Sequence, residues 1–220
     1  MDIMGELVIA ESNVTQHTAT KGIKDGSFPQ ALNQLRKIVS DLQEVVLSTR
    51  MTSISGVFQR MSRLIRDLQK KSNKKISLII QGEETQIDKS DVDLIADPII
   101  HLLRNSVDHG IESTDERRLA GKTETGSIYL SARQSVNEVW IIIREDGKGL
   151  NREKILNKAI EKGLFKEDAT TLTDKEIFQM IFLPGLSTAR EITDISGRGV
   201  GMDIVKQNIE KLGGKIDIHS

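Results

Sequence analysis

The sequence contains no cysteine. Disulfides and thiolate metal sites are therefore excluded, which fits a reducing, cytoplasmic setting. Aromatic residues make up only 3% of the chain, so aliphatic side chains must fill any core. Neither charge sign dominates: 31 lysines and arginines stand against 32 aspartates and glutamates. That balance offers no broad basic field for nucleic acid and no polybasic end for a membrane surface. The apolar runs fall far short of the roughly 20 residues that span a bilayer, so no membrane insertion is expected. The first residues lack a basic stretch leading into a continuous apolar one, and no secretory signal is expected there. What is present is 220 residues, enough for one or two domains with a sizeable core.

The pattern along the chain predicts an α+β protein in two parts. Residues 1–72 read as a helical hairpin. Met4, Leu7, Val8 and Val14 recur at helical steps, and the glycines and proline between Lys21 and Pro29 suit a turn. A second helix is predicted from Pro29 to Lys71, with Leu35, Ile38, Leu42, Val45, Met61, Leu64, Ile65 and Leu68 as its stripe. At 1.5 Å per residue it would be roughly 60 Å long. A helix of that length with one shorter partner cannot bury both faces. The expectation is an antiparallel pair that meets a second copy in a four-helix bundle, so a homodimer through residues 1–72. The alternative is a helical arm packed on its own globular domain.

The polar run Lys71-Ser72-Asn73-Lys74-Lys75 marks a boundary, and 73–220 reads as a sheet with helices. Strands are predicted at 76–80, 127–133 and 138–145, with a turn over 135–137. A helix is predicted from Ser90, as its cap, to about His109. Further helices fall at 152–162, at 174–181 behind a Thr173-x-x-Glu176 capping box, and at 201–212 before Gly213-Gly214. A last strand is predicted over 215–219. Helices on one side of a sheet make an α/β sandwich.

Three stretches carry chemistry. In His101-Leu102-Leu103-Arg104-Asn105-Ser106-Val107-Asp108-His109-Gly110, helical steps place His101, Asn105 and Asp108 on one face, with Arg104 beside them. An amide oxygen such as that of Asn105 suits Mg²⁺ that keeps its waters and phosphates. A polar surface stripe would show the same composition. Asp146-Gly147-Lys148-Gly149 comes after the apolar run Val139 to Ile143. A carboxylate at a strand end can accept a hydrogen bond from an amine such as the adenine N6, and the glycines let a flat base approach backbone. An ordinary strand-ending turn reads the same way. Gly197-Arg198-Gly199-Val200-Gly201-Met202-Asp203 opens a helix, where free N–H groups and the helix dipole favour an anion. The spacing is neither that of a dinucleotide fold nor that of a phosphate loop with its lysine.

Taken in order, the three resemble one pocket. HLLRNSVDHGIE is similar to the N box, REDGKGL to the first glycine box, IFLPGLSTA to the approach to the lid, and GRGVGMD to the second glycine box of the GHKL ATP-binding fold. HGIE, PGLST and SGRGVGMDIV, with MGELVIAES and RMTSISGVFQRMSRLIRDL, resemble the family of chemotaxis histidine kinases across essentially the whole chain. The resemblance implies a two-component sensor kinase that binds Mg-ATP and passes the γ-phosphoryl group to a histidine on a separate phosphotransfer domain. It implies Asn105 as the Mg²⁺ residue and His101 as general base or phosphate contact. Arg104 and His109 would stabilise phosphate charge. Asp146 would meet the adenine amine, and Gly149 would let the base lie close. Asp108 belongs to the same box. Ser187, Thr188, Gly197, Arg198, Gly199 and Gly201 would form the lid, and Val200 and Met202 would bind the nucleotide beside it.

His17 lies where other histidine kinases carry their acceptor, but no acidic residue comes directly after it, so no phosphorylation of this chain by itself is expected. The resemblance further implies a response regulator, a coupling protein and chemoreceptors, met through segments outside this sequence. After Gly213-Gly214 the family pattern continues into a G-x-G-T segment and a closing strand, so the ATP-binding part is expected to be C-terminally incomplete. Two alternatives stay open: a GHKL ATPase that uses ATP as a clamp, and a structural dimer in receptor arrays that holds nucleotide passively.

Overall fold

A computed structural model describes residues 3–16, 27–136, 138–164, 172–186 and 201–220. It divides into two compact units, Met1–Met51 and Thr52–Ser220. The first is helical. Helices α1 (Ile3–Gln16) and α2 (Ser27–Arg50) pack together, and Arg36 Nε donates to Glu11 Oε1 across the pair at 3.1 Å. Val39 is buried. Leu35, Ile38, Leu42 and Val45 remain exposed at the three- and four-residue steps of one helix face.

The helix expected to run unbroken from Pro29 to Lys71 is interrupted. Strand β1 (Met51–Ser53) intervenes and pairs with β3 (Gln86–Asp88). The cause is local. Ser53 Oγ accepts the Ser55 N–H at 3.1 Å, and Ile54 N–H donates to the Thr85 carbonyl at 3.0 Å. A serine that bonds its neighbour's backbone competes with the helical ladder. Helix α3 (Ser55–Ser72) then restarts, and Asn73 ends it in the left-handed region at φ 53°. The apolar stripe is thereby split. Val57, Phe58, Met61 and Ile65 are buried in the core of the second unit, while Leu35 to Val45 stay open. The polar run at 71–75, the expected boundary, therefore lies inside the second compact unit, and α3 belongs with the sheet.

The second unit is built on a three-stranded sheet of order β2-β4-β5. Strand β2 (Ile76–Gln81) runs parallel to β4 (Gly126–Ser135), which runs antiparallel to β5 (Glu138–Glu145). Side chains alternate across it. Ile128, Leu130 and Ala132, with Val139, Ile141 and Ile143, share one apolar cluster with α3 and with α4 (Asp91–Asn105). Tyr129, Trp140 and Ile142 are exposed. The β4–β5 turn falls where predicted: Ser135 pairs with Glu138, and Val136 takes a φ of 49°.

Several local expectations change. Ser90 does not cap α4. Its N–H and hydroxyl donate to Asp88 Oδ1 at 2.8 and 2.7 Å, so the aspartate two residues upstream captures it first. The α-helix does not reach His109. It passes into a π turn at Ser106–Gly110, in which Ile111 N–H bonds the Ser106 carbonyl at 2.7 Å. Helix α5 (Thr114–Leu119) was not foreseen, although Ser113 and Glu116 form a full capping box at its start. Helices α6 (Arg152–Glu161) and α7 (Asp174–Gln179) fall where the pattern put them, the second with its Thr173–Glu176 capping box. Helix α8 (Met202–Lys211) ends at Gly213, φ 72°, with Gly214 N–H on the Ile209 carbonyl at 3.0 Å. Residues 215–219, expected as a strand, have no ladder partner among the described residues. Ile216 and Ile218 instead pack on Phe182, Met202 and Val205.

Candidate functional site

The site is assembled around the C-terminal half of α4. Its buried residues, Ala96, Ile99 and Leu103, anchor one face in the core. That leaves His101, Arg104 and Asn105 half-buried toward the neighbouring elements. Helix α8 packs on α4 here. Asn105 Nδ2 lies 3.0 Å from Met202 Sδ, in the first turn of α8. Its carbonyl oxygen is free among the described residues. Burial pushes the His101 imidazole below its ordinary value and Arg104 lowers it further, while Asp203 of α8 pulls it back up. His101 is therefore neutral at pH 7 and able to accept a proton. Arg104 Nε is buried with no hydrogen-bond partner among the described residues. An unpartnered buried N–H is costly unless an acceptor fills the place. Helix α8 begins at buried Gly201, so free backbone N–H groups open toward the same region.

The second wall comes from the end of β5. Val139, Ile141 and Ile143 face the helices, and the alternation brings Glu145 onto that same face. Burial raises the Glu145 carboxyl above its usual range, and Asp146 and Glu112 raise it further, against a lowering effect of the Ser106 side chain at the start of the π turn. The two backbones meet closely beside it. A Cβ at Gly110 would fall on the Glu145 carboxylate, and one at Gly147 would fall on the Gly110 carbonyl. Lys148 N–H bonds that carbonyl at 3.1 Å. Only glycines permit this approach.

Asp146 points elsewhere. Arg117 Nη1 and Nη2 hold its two carboxylate oxygens at 3.1 and 3.0 Å, and Ser127 N–H adds a third bond at 2.9 Å. Gly149 lies just beyond, at φ 69°. Asp108 and His109 sit on the π turn with exposed side chains. Lys74 Nζ closes the turn by donating to the carbonyls of Val107, Asp108 and Ile111 at 2.6, 3.1 and 2.8 Å. The structure thus brings together His101, Arg104, Asn105, Gly201 and Met202. Ser187, Thr188, Gly197, Arg198, Gly199 and Val200 lie outside the described residues, as does His17.

Sequence reasoning passed over Glu145, Asp203 and the buried Arg117. The period-two pattern of β5 carried the signal for Glu145: it shares the parity of Val139, Ile141 and Ile143. Nothing in the sequence marked Arg117, whose partner Asp146 lies 29 residues downstream.

Parts of both units match known family models. Residues 91–220 match the model for the histidine kinase-, DNA gyrase B-, and HSP90-like ATPase, and residues 1–49 match that for the signal transducing histidine kinase, homodimeric domain. Among its relatives are the chemotaxis protein CheA of Bacillus subtilis, 46% identical over the whole chain and 33% of that protein. The sensor histidine kinase CheAY of Helicobacter pylori is 47% identical over the whole chain and 28% of its own length. The CheA of Salmonella typhimurium is 43% identical over the whole chain and 33% of its length. The chain spans about a third of the length of the curated relatives it matches. By motif, fold and relatives, the chain belongs to the histidine kinase-, DNA gyrase B- and HSP90-like ATPase family, on the branch that holds the chemotaxis CheA proteins.

Proposed function

We propose that this chain is the dimerisation and ATP-binding segment of a chemotaxis histidine kinase, and that it passes the γ-phosphoryl group of Mg-ATP to a histidine on a separate phosphotransfer domain. The observation that carries this is the convergence on α4 of a strand-end carboxylate with two glycine approaches, an unpartnered buried arginine N–H, and the N-terminus of a second helix. One wall suits a flat base bearing an amine; the other suits phosphate oxygens.

Glu145 takes the adenine amine in this reading. Asp146 was the residue expected there, but its bonds to Arg117 and Ser127 are those of an anchor. Arg104 Nε meets a phosphate oxygen. The Asn105 carbonyl oxygen holds Mg²⁺, which neutralises phosphate charge when bound. Asp108, His109 and Gly149 border the site, and Ser187, Thr188, Gly197, Arg198, Gly199 and Gly201 supply the lid. Phosphoryl transfer needs positioning and charge neutralisation more than covalent chemistry from the protein. The acceptor imidazole nitrogen forms a bond to the γ-phosphorus as the bond to the bridging oxygen of ADP breaks. Neutral His101 accepts the proton that the acceptor nitrogen releases. The helical first unit, ending at Met51, pairs with a second copy; response regulator, coupling protein and chemoreceptors are met through other segments; and the kinase works in the cytoplasm. Among the described residues no helix is long and apolar enough to cross a membrane.

Calorimetric titration tests the nucleotide half. The chain is expected to bind ATP more tightly with Mg²⁺ than without it. Asn105→Ala should abolish that metal-dependent gain while leaving metal-free ADP binding in place. Equal metal dependence in the variant would remove Asn105 from the metal.

A further inference from the structure

Between the π turn and β4 the chain makes an excursion, 111–125, that supplies none of the α4 side chains of the site. Its one buried polar side chain is Arg117, 1% exposed. Beyond the Asp146 carboxylate, Arg117 donates to the Asp146 carbonyl at 3.3 Å, to Glu112 Oε2 at 3.1 Å, and to the Thr123 and Thr125 carbonyls at 2.6 and 3.4 Å. Lys122 reaches the same place. Its Nζ donates to Glu112 Oε1 at 2.7 Å, to the Asp146 carbonyl at 3.1 Å and to the Gly147 carbonyl at 2.9 Å. Four charges, Glu112, Arg117, Lys122 and Asp146, close into one network around the two peptides directly after Glu145.

We infer that Arg117, seconded by Lys122, is a positioning residue for nucleotide-base recognition: it fixes the backbone after Glu145 and so aims that carboxylate. The inference rests on the reading of Glu145 as the base-binding group. A buried cation is expensive, and an apolar side chain of like volume would often serve stability as well. What an apolar side chain could not do is hold a carboxylate in bidentate fashion and bond loop carbonyls from the same plane. The guanidinium fork does both, and an ammonium group does not. Fixing also comes from two sides. The Lys148 N–H on Gly110 ties the loop to the π turn from the other side, so the loop is held between two anchors while Glu145 projects between them.

The test is to titrate the full chain with ATP, ADP and GTP, comparing wild type with Arg117→Lys and Lys122→Met, and to record each melting temperature. Arg117→Lys keeps the charge and stem but loses the fork. Lys122 is about one-third exposed, at 35%, so its loss spares the core and serves where Arg117→Lys fails to fold. The expected result is that ATP and ADP affinities fall together by roughly tenfold, a factor set by about 1.4 kcal/mol. The preference for ATP over GTP narrows and the dependence on Mg²⁺ stays as in wild type. A role confined to stability would lower the melting temperature without narrowing the preference for adenine. Folded variants with wild-type affinity and preference would overturn the inference alone. A wild-type chain that bound no ATP would remove the reading beneath it as well.

Discussion

At the scale of single residues, the site depends on carboxylates that look alike in sequence and differ in surroundings. Glu145 and Asp146 are adjacent, yet one faces the helices and the other faces Arg117. Strand alternation separates them, since neighbours point to opposite sides. Burial raises the Glu145 carboxyl, and that has a consequence for stability. A carboxyl whose folded pKa lies above its unfolded value contributes stability below the unfolded value, near 4.5, and loses it as pH rises through the folded one. At pH 7 the ionised group therefore costs stability. Glu145→Gln is expected to melt above wild type at pH 7, with the difference shrinking toward pH 4.5. Thermal melts across that range check it. A variant that melted lower at pH 7 would show that the carboxylate is stabilised in place. Together with weaker ATP binding by Glu145→Ala, the gain would mark a group kept for recognition at the expense of stability.

The same pair of residues shows where sequence reading reached and where it stopped. Asp-Gly after an apolar strand was visible, and so was its likeness to a base-binding loop. Which carboxylate faces the site required the register of β5 against β4, with Glu145 opposite Ile128. That register is a long-range fact. His101, Arg104 and Asn105 were legible because helical spacing is local. Asp108 was assigned by that spacing too, but the π turn at Ser106–Gly110 changes the phase before the helix reaches it.

At the scale of elements, the division of α2 from α3 matters most. Periodicity alone runs through it, because Leu35 to Val45 and Met61 to Leu68 share one spacing. The interruption comes from Ser53 and from bonds to residues 83–85, which lie some 30 positions on. Helix α3 then serves as a floor beneath the sheet and α4. Phe58 is fully buried there. Phe58→Ala is expected to destabilise the second unit by about 3–5 kcal/mol, through lost burial and the cavity left behind. Chemical denaturation tracked by Trp140 fluorescence measures it. A loss under about 1 kcal/mol would mean that α3 packs elsewhere.

At the scale of the whole molecule, the two units divide the work. The first leaves Leu35, Ile38, Leu42 and Val45 open on one helix, and its relatives in sequence form a homodimeric domain. A second copy is the natural cover for that face. Ile38→Glu with Leu42→Glu is expected to yield a monomer that still binds ATP, read by light scattering and titration; a double variant that remained dimeric would place the interface elsewhere. In the proposed reading the second unit holds the nucleotide, and the acceptor histidine lies on another domain.

One measurement tests the location of that acceptor most directly. The chain is incubated with Mg-ATP labelled at the γ-phosphate, with and without a phosphotransfer domain from a chemotaxis histidine kinase. The account predicts acid-labile label on a histidine of the added domain and none on the chain alone. Stoichiometric label on His17, or release of inorganic phosphate with the added domain unlabelled, would contradict it.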